Sequence, residues 1–255
     1  MRGIYKIFSL EGKKALVTGA ANGNGRAISK ALADAGCQLV LIDSDHENLA
    51  NVSSEIKEEN DSVVKSITLD ISDPSGLEAF LKKHNEFDIV INNAGITRGN
   101  HLFDYKNEDW DMTYKVNLLA PYKIIKKVSQ SMCEKNSGSI INITSLAAEV
   151  GFPGNPAYVA FKGALKQLTK AVACDLSNNH VRINSIGPGY IKTNMTAKSW
   201  DDKKMNLART DRTTLGRWGE SSDLVGAVIF LASDASSYIT GQDFYIDGGW
   251  LAKGL

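Results

Sequence analysis

Several functional classes need features that this chain lacks. Its 255 residues include only three cysteines, Cys37, Cys133 and Cys174, far apart and in no ligand motif. That argues against a disulfide scaffold and predicts small apolar side chains in a reducing compartment. The four histidines, His46, His84, His101 and His180, show no metal-ligand spacing, so no metal centre is expected. Charge of either sign is not in excess: 29 basic residues balance 29 acidic ones. A neutral chain without a basic patch has no reason to seek nucleic acid. No apolar run reaches bilayer length, so no membrane partner is expected. The apolar positions near the start run directly into Ser9 and Glu11, unlike a secretory signal. A cytoplasmic protein is predicted, in which the sequons at Asn51, Asn142 and Asn194 are accidents of sequence.

Lys14–Asp43 is the most informative stretch. Ala15-Leu16-Val17 is followed by a glycine-rich turn, Thr18-Gly19-Ala20-Ala21-Asn22-Gly23-Asn24-Gly25, and then a helical pattern carried by Ile28, Ala31, Leu32 and Ala35. A second apolar run, Leu39-Val40-Leu41-Ile42, ends on Asp43. Strand, glycine turn, helix, strand and terminal acid form the unit that holds a dinucleotide. Gly19 suits the tight turn, Gly23 lets backbone approach a phosphate, and Gly25 permits close helix–sheet contact. Unpaired N–H groups at the helix start would face the anionic oxygens. A carboxylate at Asp43 accepts both ribose hydroxyls of NAD and repels a 2′-phosphate, and neither Ala21, Asn22 nor Ser44 supplies a compensating cation.

Beyond Asp43, apolar strands at 63–69, 87–91, 139–145, 181–186 and 244–247 alternate with helical patterns. This predicts one α/β domain over residues 1–255, a doubly wound, mainly parallel sheet with helices on both faces. One helix is expected over 108–130, bent near Pro121. Another, over 157–178, carries Ala160, Gly163, Ala164 and Ala171, which serve either a subunit interface or tight contact with the sheet. Residues 190–215 are polar and irregular, with Met195, Trp200, Met205 and Leu207 as apolar exceptions. They are expected to form a substrate lid of one or two short helices, bringing Met195 and Trp200 to the substrate.

A second constellation carries chemistry. Tyr158 and Lys162 stand four apart at the start of a helix, so both project from one face. An ammonium near a phenol favours phenolate, which predicts a lowered Tyr158 pKa and a proton donor or acceptor near neutral pH. Ser145, at a strand's C-terminal end, can hydrogen-bond a substrate oxygen there.

Over nearly its whole length the chain resembles the short-chain dehydrogenase/reductase family. The glycine turn looks like TGxxxGxG, Asn92-Asn93-Ala94-Gly95 like the family's NNAG stretch, and Asn117, Ser145, Tyr158 and Lys162 match its catalytic tetrad. The resemblance implies hydride transfer between nicotinamide and a carbinol carbon, with a homotetrameric assembly. Cofactor contacts are implied for Gly19, Asn22, Gly23, Asn24, Gly25, Asp43, Asp70, Ile71, Asn93, Ala94 and Gly95. Further along they are implied for Tyr158, Lys162, Pro188, Gly189, Ile191 and Thr193. Two residues depart from the pattern: Asn24 replaces an aliphatic residue, and Phe161 replaces a small one, filling core or interface space or else crowding the cofactor side. The opening Phe8–Lys13, Gly216-Arg217-Trp218-Gly219 and the ending Asp247–Ala252 are similar to sugar-acid dehydrogenases acting on deoxygluconate or gluconate. Asn93-Ala94-Gly95-Ile96-Thr97-Arg98 also resembles 3-oxoacyl-carrier-protein reductases, the alternative. A dinucleotide-binding regulator without turnover is a third reading, opposed by the intact tetrad. Arg98 is a candidate for a substrate carboxylate, and Glu149 and Asn155 are candidates for substrate hydroxyls; each is equally readable as a surface group.

Overall fold

The structure, a computed structural model, describes residues 3–60 and 62–253. Its first half runs α1 (Gly3–Lys6), β1 (Lys14–Thr18), α2 (Gly23–Asp34), β2 (Gln38–Asp43), α3 (His46–Glu59), β3 (Val64–Thr68), α4 (Pro74–Lys83) and β4 (Ile89–Asn92). Then come α5 (Asn107–Tyr114), α6 (Ala120–Glu134), β5 (Gly138–Ile143), α7 (Pro156–Asp175) and β6 (Val181–Pro188). The chain closes with α8 (Ala197–Asp201), α9 (Lys203–Arg212), α10 (Val225–Ala232) and β7 (Asp243–Ile246).

All seven strands are parallel, in the order β3-β2-β1-β4-β5-β6-β7. The chain works outward from β1 through β2 and β3, then crosses back to β4 on the other side. That reversal opens a crevice at the C-terminal ends of β1 and β4. Side chains alternate across each strand, so one run fills two cores. Ala15 and Val17 join Ile28 and Leu32 of α2 and Val228 and Leu231 of α10 on one face. Leu16 joins Phe80 of α4 and Ile124 and Val128 of α6 on the other. Asp45 and Asp73 cap α3 and α4, accepting hydrogen bonds from backbone N–H groups of the first turn.

The helix expected over 108–130 runs unbroken, with an irregular turn just before Pro121. Lys115–Leu119 forms a π-helical turn between α5 and α6. Pro121 lies just inside α6, where its missing N–H cannot donate to the preceding turn. The small residues of α7 do not serve contact with the sheet: Ala160 is exposed, and a side chain at Gly163 would meet open space. Phe161 is buried against Trp110 and Tyr114 of α5, with ring centroids 4.9 and 5.4 Å away, and does not line the cofactor side; both partner rings are themselves exposed.

The tightest backbone approach is where α2 leaves the sheet. A Cβ on Gly25 would lie 1.9 Å from the Gly19 carbonyl oxygen and 2.6 Å from Asn93 Nδ2. Gly25→Ala should therefore lower stability by about 3 kcal/mol, the upper part of the usual overpacking range. Urea unfolding checks this; a midpoint equal to the parent's would show slack in the turn that the structure does not display.

Candidate active site

A cleft of about 700 Å³ opens at the crevice between β1 and β4. Its floor is fixed by the strand ends. Thr18 Oγ1 accepts from the backbone N–H groups of Asn93 (3.0 Å) and Ala94 (2.9 Å). Asn93 Nδ2 donates to the carbonyls of Thr18 (3.0 Å) and Gly19 (2.9 Å). Gly19 and Gly23 hold φ of +65° and +50°, which side-chain-bearing residues rarely adopt. No side chain caps the N-terminus of α2: Asn22 instead donates to Asp45 Oδ2 at 3.2 Å. The first-turn N–H groups of that helix therefore face the cleft as anion donors. Asp43 is held by its two oxygens, which accept from the N–H groups of Ala21 and Asp45, both at 3.0 Å. Asp70 accepts from Ser72 N–H at 2.8 Å and lines the cleft beside Ile71. Asn24 finds a partner for its amide, Oδ1 accepting from Ser221 Oγ at 2.8 Å.

The other end of the cleft gathers Ser145, Tyr158 and Lys162. Ser145 follows β5 and accepts from Ala147 N–H at 3.1 Å, which starts a short 3-10 turn. Tyr158 stands on the first turn of α7, and Lys162 one turn on, its Nζ donating to the Ile143 carbonyl at 2.6 Å. Behind them, buried Asn117 closes a two-way bond with the Ile96 backbone: Oδ1 accepts from N–H at 2.9 Å and Nδ2 donates to C=O at 2.8 Å. A Cβ on Gly95 would approach Lys162 Nζ to 3.4 Å and Asn117 Oδ1 to 3.5 Å, so glycine leaves those groups reachable.

Electrostatics at this end differ from the expected pattern. Burial pushes the Tyr158 phenol above its ordinary value, with the Ser145 hydroxyl pulling the other way. Lys162, 5.7 Å from the Tyr158 ring centre, is itself pushed down to about 8 by burial. Desolvation is the largest influence on both groups: Lys162 is buried, and Tyr158 is partly buried at the cleft wall.

Pro188, Gly189, Ile191, Thr193 and Met195 border the cleft from β6 onward, and Asn155, which accepts from Thr97 Oγ1 at 2.8 Å, borders it from the α7 side. Two substrate candidates do not reach it. The Glu149 carboxylate is taken by Lys166 and by Tyr245 Oη, and the residue does not line the cleft. Trp200 turns its ring onto Trp218 (5.4 Å, edge-on) and under Lys192, 4.0 Å from its centre, contributing to packing rather than to the cleft wall. Arg98 does line it, with a guanidinium nitrogen 2.8 Å from Asp109. Phe152, Tyr190 and Arg209 also line it, and sequence reasoning missed all three as site residues. Tyr190 directly follows Pro188-Gly189 and could have been found from that; Arg209 is one cation among many in a polar segment.

The family model described as Enoyl-(Acyl carrier protein) reductase matches residues 19–251. The chain belongs to the short-chain dehydrogenase/reductase family. It is 37% identical over 253 residues to the 2-dehydro-3-deoxy-D-gluconate 5-dehydrogenase of Bacillus subtilis, covering 98% of this chain and 99% of the relative. It is 36% identical to the 3-oxoacyl-(acyl-carrier-protein) reductase of Thermotoga maritima, covering 94% and 98%. The crystal structure of a gluconate 5-dehydrogenase from Burkholderia cenocepacia in complex with NADP and tartrate superimposes with a TM-score of 0.92 at 32% identity, covering 98% of this chain and all of that one. This short-chain dehydrogenase/reductase is an NAD(P)-dependent oxidoreductase that interconverts alcohols and ketones.

The cleft of this dehydrogenase fits a nicotinamide dinucleotide on its own geometry. Glycines with positive φ, an uncapped helix start, a held carboxylate at Asp43 and the bare Cα of Gly95 leave a continuous cradle from Asn22 to Lys162. Among the described residues, no group of three His, Cys, Asp or Glu side chains could hold a metal, and no helix is long and apolar enough to cross a membrane.

Burial of Lys162 has a measurable sign. The folded protein releases the proton near pH 8 and the unfolded chain near the ordinary 10.5. Between those values the unfolded state binds more protons, so stability rises with pH across that window. Relative to Lys162→Met, the ligand-free enzyme should gain on the order of 3 kcal/mol over it. Chemical unfolding of both proteins at successive pH values checks this, and a constant difference would refute the buried ammonium.

Proposed function

We propose that this protein oxidises a secondary hydroxyl of a sugar acid, sugar or polyol, or reduces the matching ketone, with NAD(H). The observation that carries the reading is the meeting of Ser145, Tyr158 and Lys162 at one end of a cleft whose other end holds Asp43. The dinucleotide, when bound, supplies hydride acceptance or donation at its nicotinamide ring. Tyr158 gives or takes the proton of the substrate oxygen, and Ser145 holds that oxygen and stabilises charge on it. Lys162, buried beside Gly95 and the Ile143 carbonyl, would bind ribose hydroxyls and, protonated at neutral pH, raises the potential at Tyr158. Asn117 is a positioning residue, fixing the Ile96 backbone and thereby the loop after β4 that lines the cleft. The relatives named for deoxygluconate and gluconate support the substrate class.

The test is oxidation of a panel of sugar acids, polyols and 3-hydroxyacyl thioesters. Sugar acids or polyols should lead; thioesters leading would favour the 3-oxoacyl reductase reading, and no turnover would favour a regulator. On the best substrate, Tyr158→Phe should reduce kcat/KM by about a thousandfold, within the usual range for lost acid–base catalysis. Dinucleotide affinity should be unchanged, and a loss under tenfold would assign the proton transfer elsewhere.

Cofactor preference rests on charge. The cationic residues lining the cleft are Arg98, Lys162 and Arg209, none of them beside Asp43. Arg26, at the start of α2, is engaged by Glu55 at 2.7 Å. A 2′-phosphate would meet Asp43 uncompensated. NAD(H) should therefore be preferred over NADP(H) by at least about tenfold in kcat/KM, roughly 1.4 kcal/mol. Steady-state kinetics with both cofactors decide it, and equal turnover would overturn the assignment.

A further inference from the structure

Arg209 is a cation whose guanidinium stacks on aromatic rings but has a buried nitrogen without a hydrogen-bond partner among the described residues. It sits on α9, which is itself firmly anchored: Asp202 accepts from Met205 N–H at 2.8 Å, Asn206 donates to the Trp200 carbonyl at 2.8 Å, and Thr213 Oγ1 donates to the Arg209 carbonyl at 2.9 Å. The guanidinium lies 4.7 Å over the Tyr190 ring and 6.0 Å from that of Trp218. Stacking of this kind fixes the plane and leaves the N–H edges free. Its Nη1 is buried and has no hydrogen-bond partner among the described residues. A desolvated donor on a charged group is costly unless something binds it. The residue lines the cleft together with Phe152, Asn155 and Tyr158.

Charge is unevenly sorted along the cleft. Its acidic lining residues, Asp43 and Asp70, lie at the ends of β2 and β3, the end assigned above to the dinucleotide. Of the cations, Arg98 is engaged by Asp109 and Lys162 by the Ile143 carbonyl. Arg209 alone of the three has no carboxylate or carbonyl partner among the described residues. We propose that Arg209 binds the substrate's carboxylate through its free guanidinium edge, and so selects hydroxy acids over neutral polyols. This rests on the dehydrogenase reading above and narrows its substrate to a carboxylate-bearing one. Arg98, the candidate for this role from sequence, is the weaker one because Asp109 already neutralises it.

Tartrate, a small hydroxy-dicarboxylate, is a probe that needs no turnover. Its binding to the NAD-saturated enzyme is read from tryptophan fluorescence, since Trp218 lies 6.0 Å from Arg209 and Trp200 packs on Trp218. Arg209→Gln should weaken tartrate by about thirtyfold and Arg209→Lys by about tenfold, as expected for losing a charge-assisted fork or only its geometry. Arg98→Gln should change it by less than about threefold, as for an exposed, already paired charge. In turnover, Arg209→Gln should lower the kcat/KM ratio of D-gluconate to D-glucitol mainly through KM, as for uniform binding. Circular dichroism and melting establish that each variant is folded. Tartrate affinity unchanged in folded Arg209→Gln, or no tartrate binding to the parent, would overturn the proposal. Arg209-dependent tartrate binding without turnover of any hydroxy acid would support the anion site and sink the dehydrogenase substrate class. Turnover of hydroxy acids indifferent to Arg209 would do the reverse.

Discussion

The site depends on the knot that ties the C-terminal end of β1 to that of β4. Thr18 and Asn93 exchange side-chain and backbone hydrogen bonds across the crevice, and Gly25 closes against the same carbonyl that Asn93 binds. Parallel strands that part at a topological reversal would otherwise leave their last carbonyls and N–H groups in a shared, half-solvated gap. Satisfying them with one threonine and one asparagine makes the gap rigid. The glycine turn, the start of α2 and the loop through Gly95 then take their positions from that single joint.

A second joint, between the π-helical turn and the loop after β4, does the equivalent work at the reacting end. Asn117 uses both halves of its amide on Ile96, which it can reach because the wider turn at Lys115–Leu119 rotates it inward. Lys162 is thereby packed between Gly95 and the Ile143 carbonyl with little water. Burial raises the phenol of Tyr158 and lowers the ammonium of Lys162 together, so each group is moved toward its neutral form. The phenol keeps its proton, and Lys162, at about 8, still carries its own at neutral pH. Bound polar ligand atoms would supply the hydrogen bonds that make the charged forms affordable, which couples proton readiness to occupancy.

Charge sorting along the cleft is the third feature. Two carboxylates, Asp43 and Asp70, line the cleft at the ends of β2 and β3, and the guanidiniums of Arg98 and Arg209 line it elsewhere. In a chain whose total charge is zero, this local polarity is invisible to composition. It arises because α9, separated from β2 by much of the sequence, is folded back over the open end of the crevice.

Local pattern alone determined a good deal. Alternating apolar strands and helices specified a doubly wound sheet, because parallel strands buried on both faces must be apolar throughout. The spacing of Gly19, Gly23 and Gly25 specified the turn, since positive φ and absent Cβ are local demands. Tyr158 and Lys162 were legible because four residues make one helical turn. The tertiary structure decided the rest, and always by placing distant groups against one another. It set Glu149 on Lys166 and Tyr245, turned Trp200 onto Trp218, and put a π-helical turn at Lys115–Leu119. It also made burial, rather than the neighbouring ammonium, the dominant influence on Tyr158. Arg209 belongs to the same class: desolvation and the absence of a counter-ion are properties of surroundings, and a side chain's surroundings are assembled only when the chain folds.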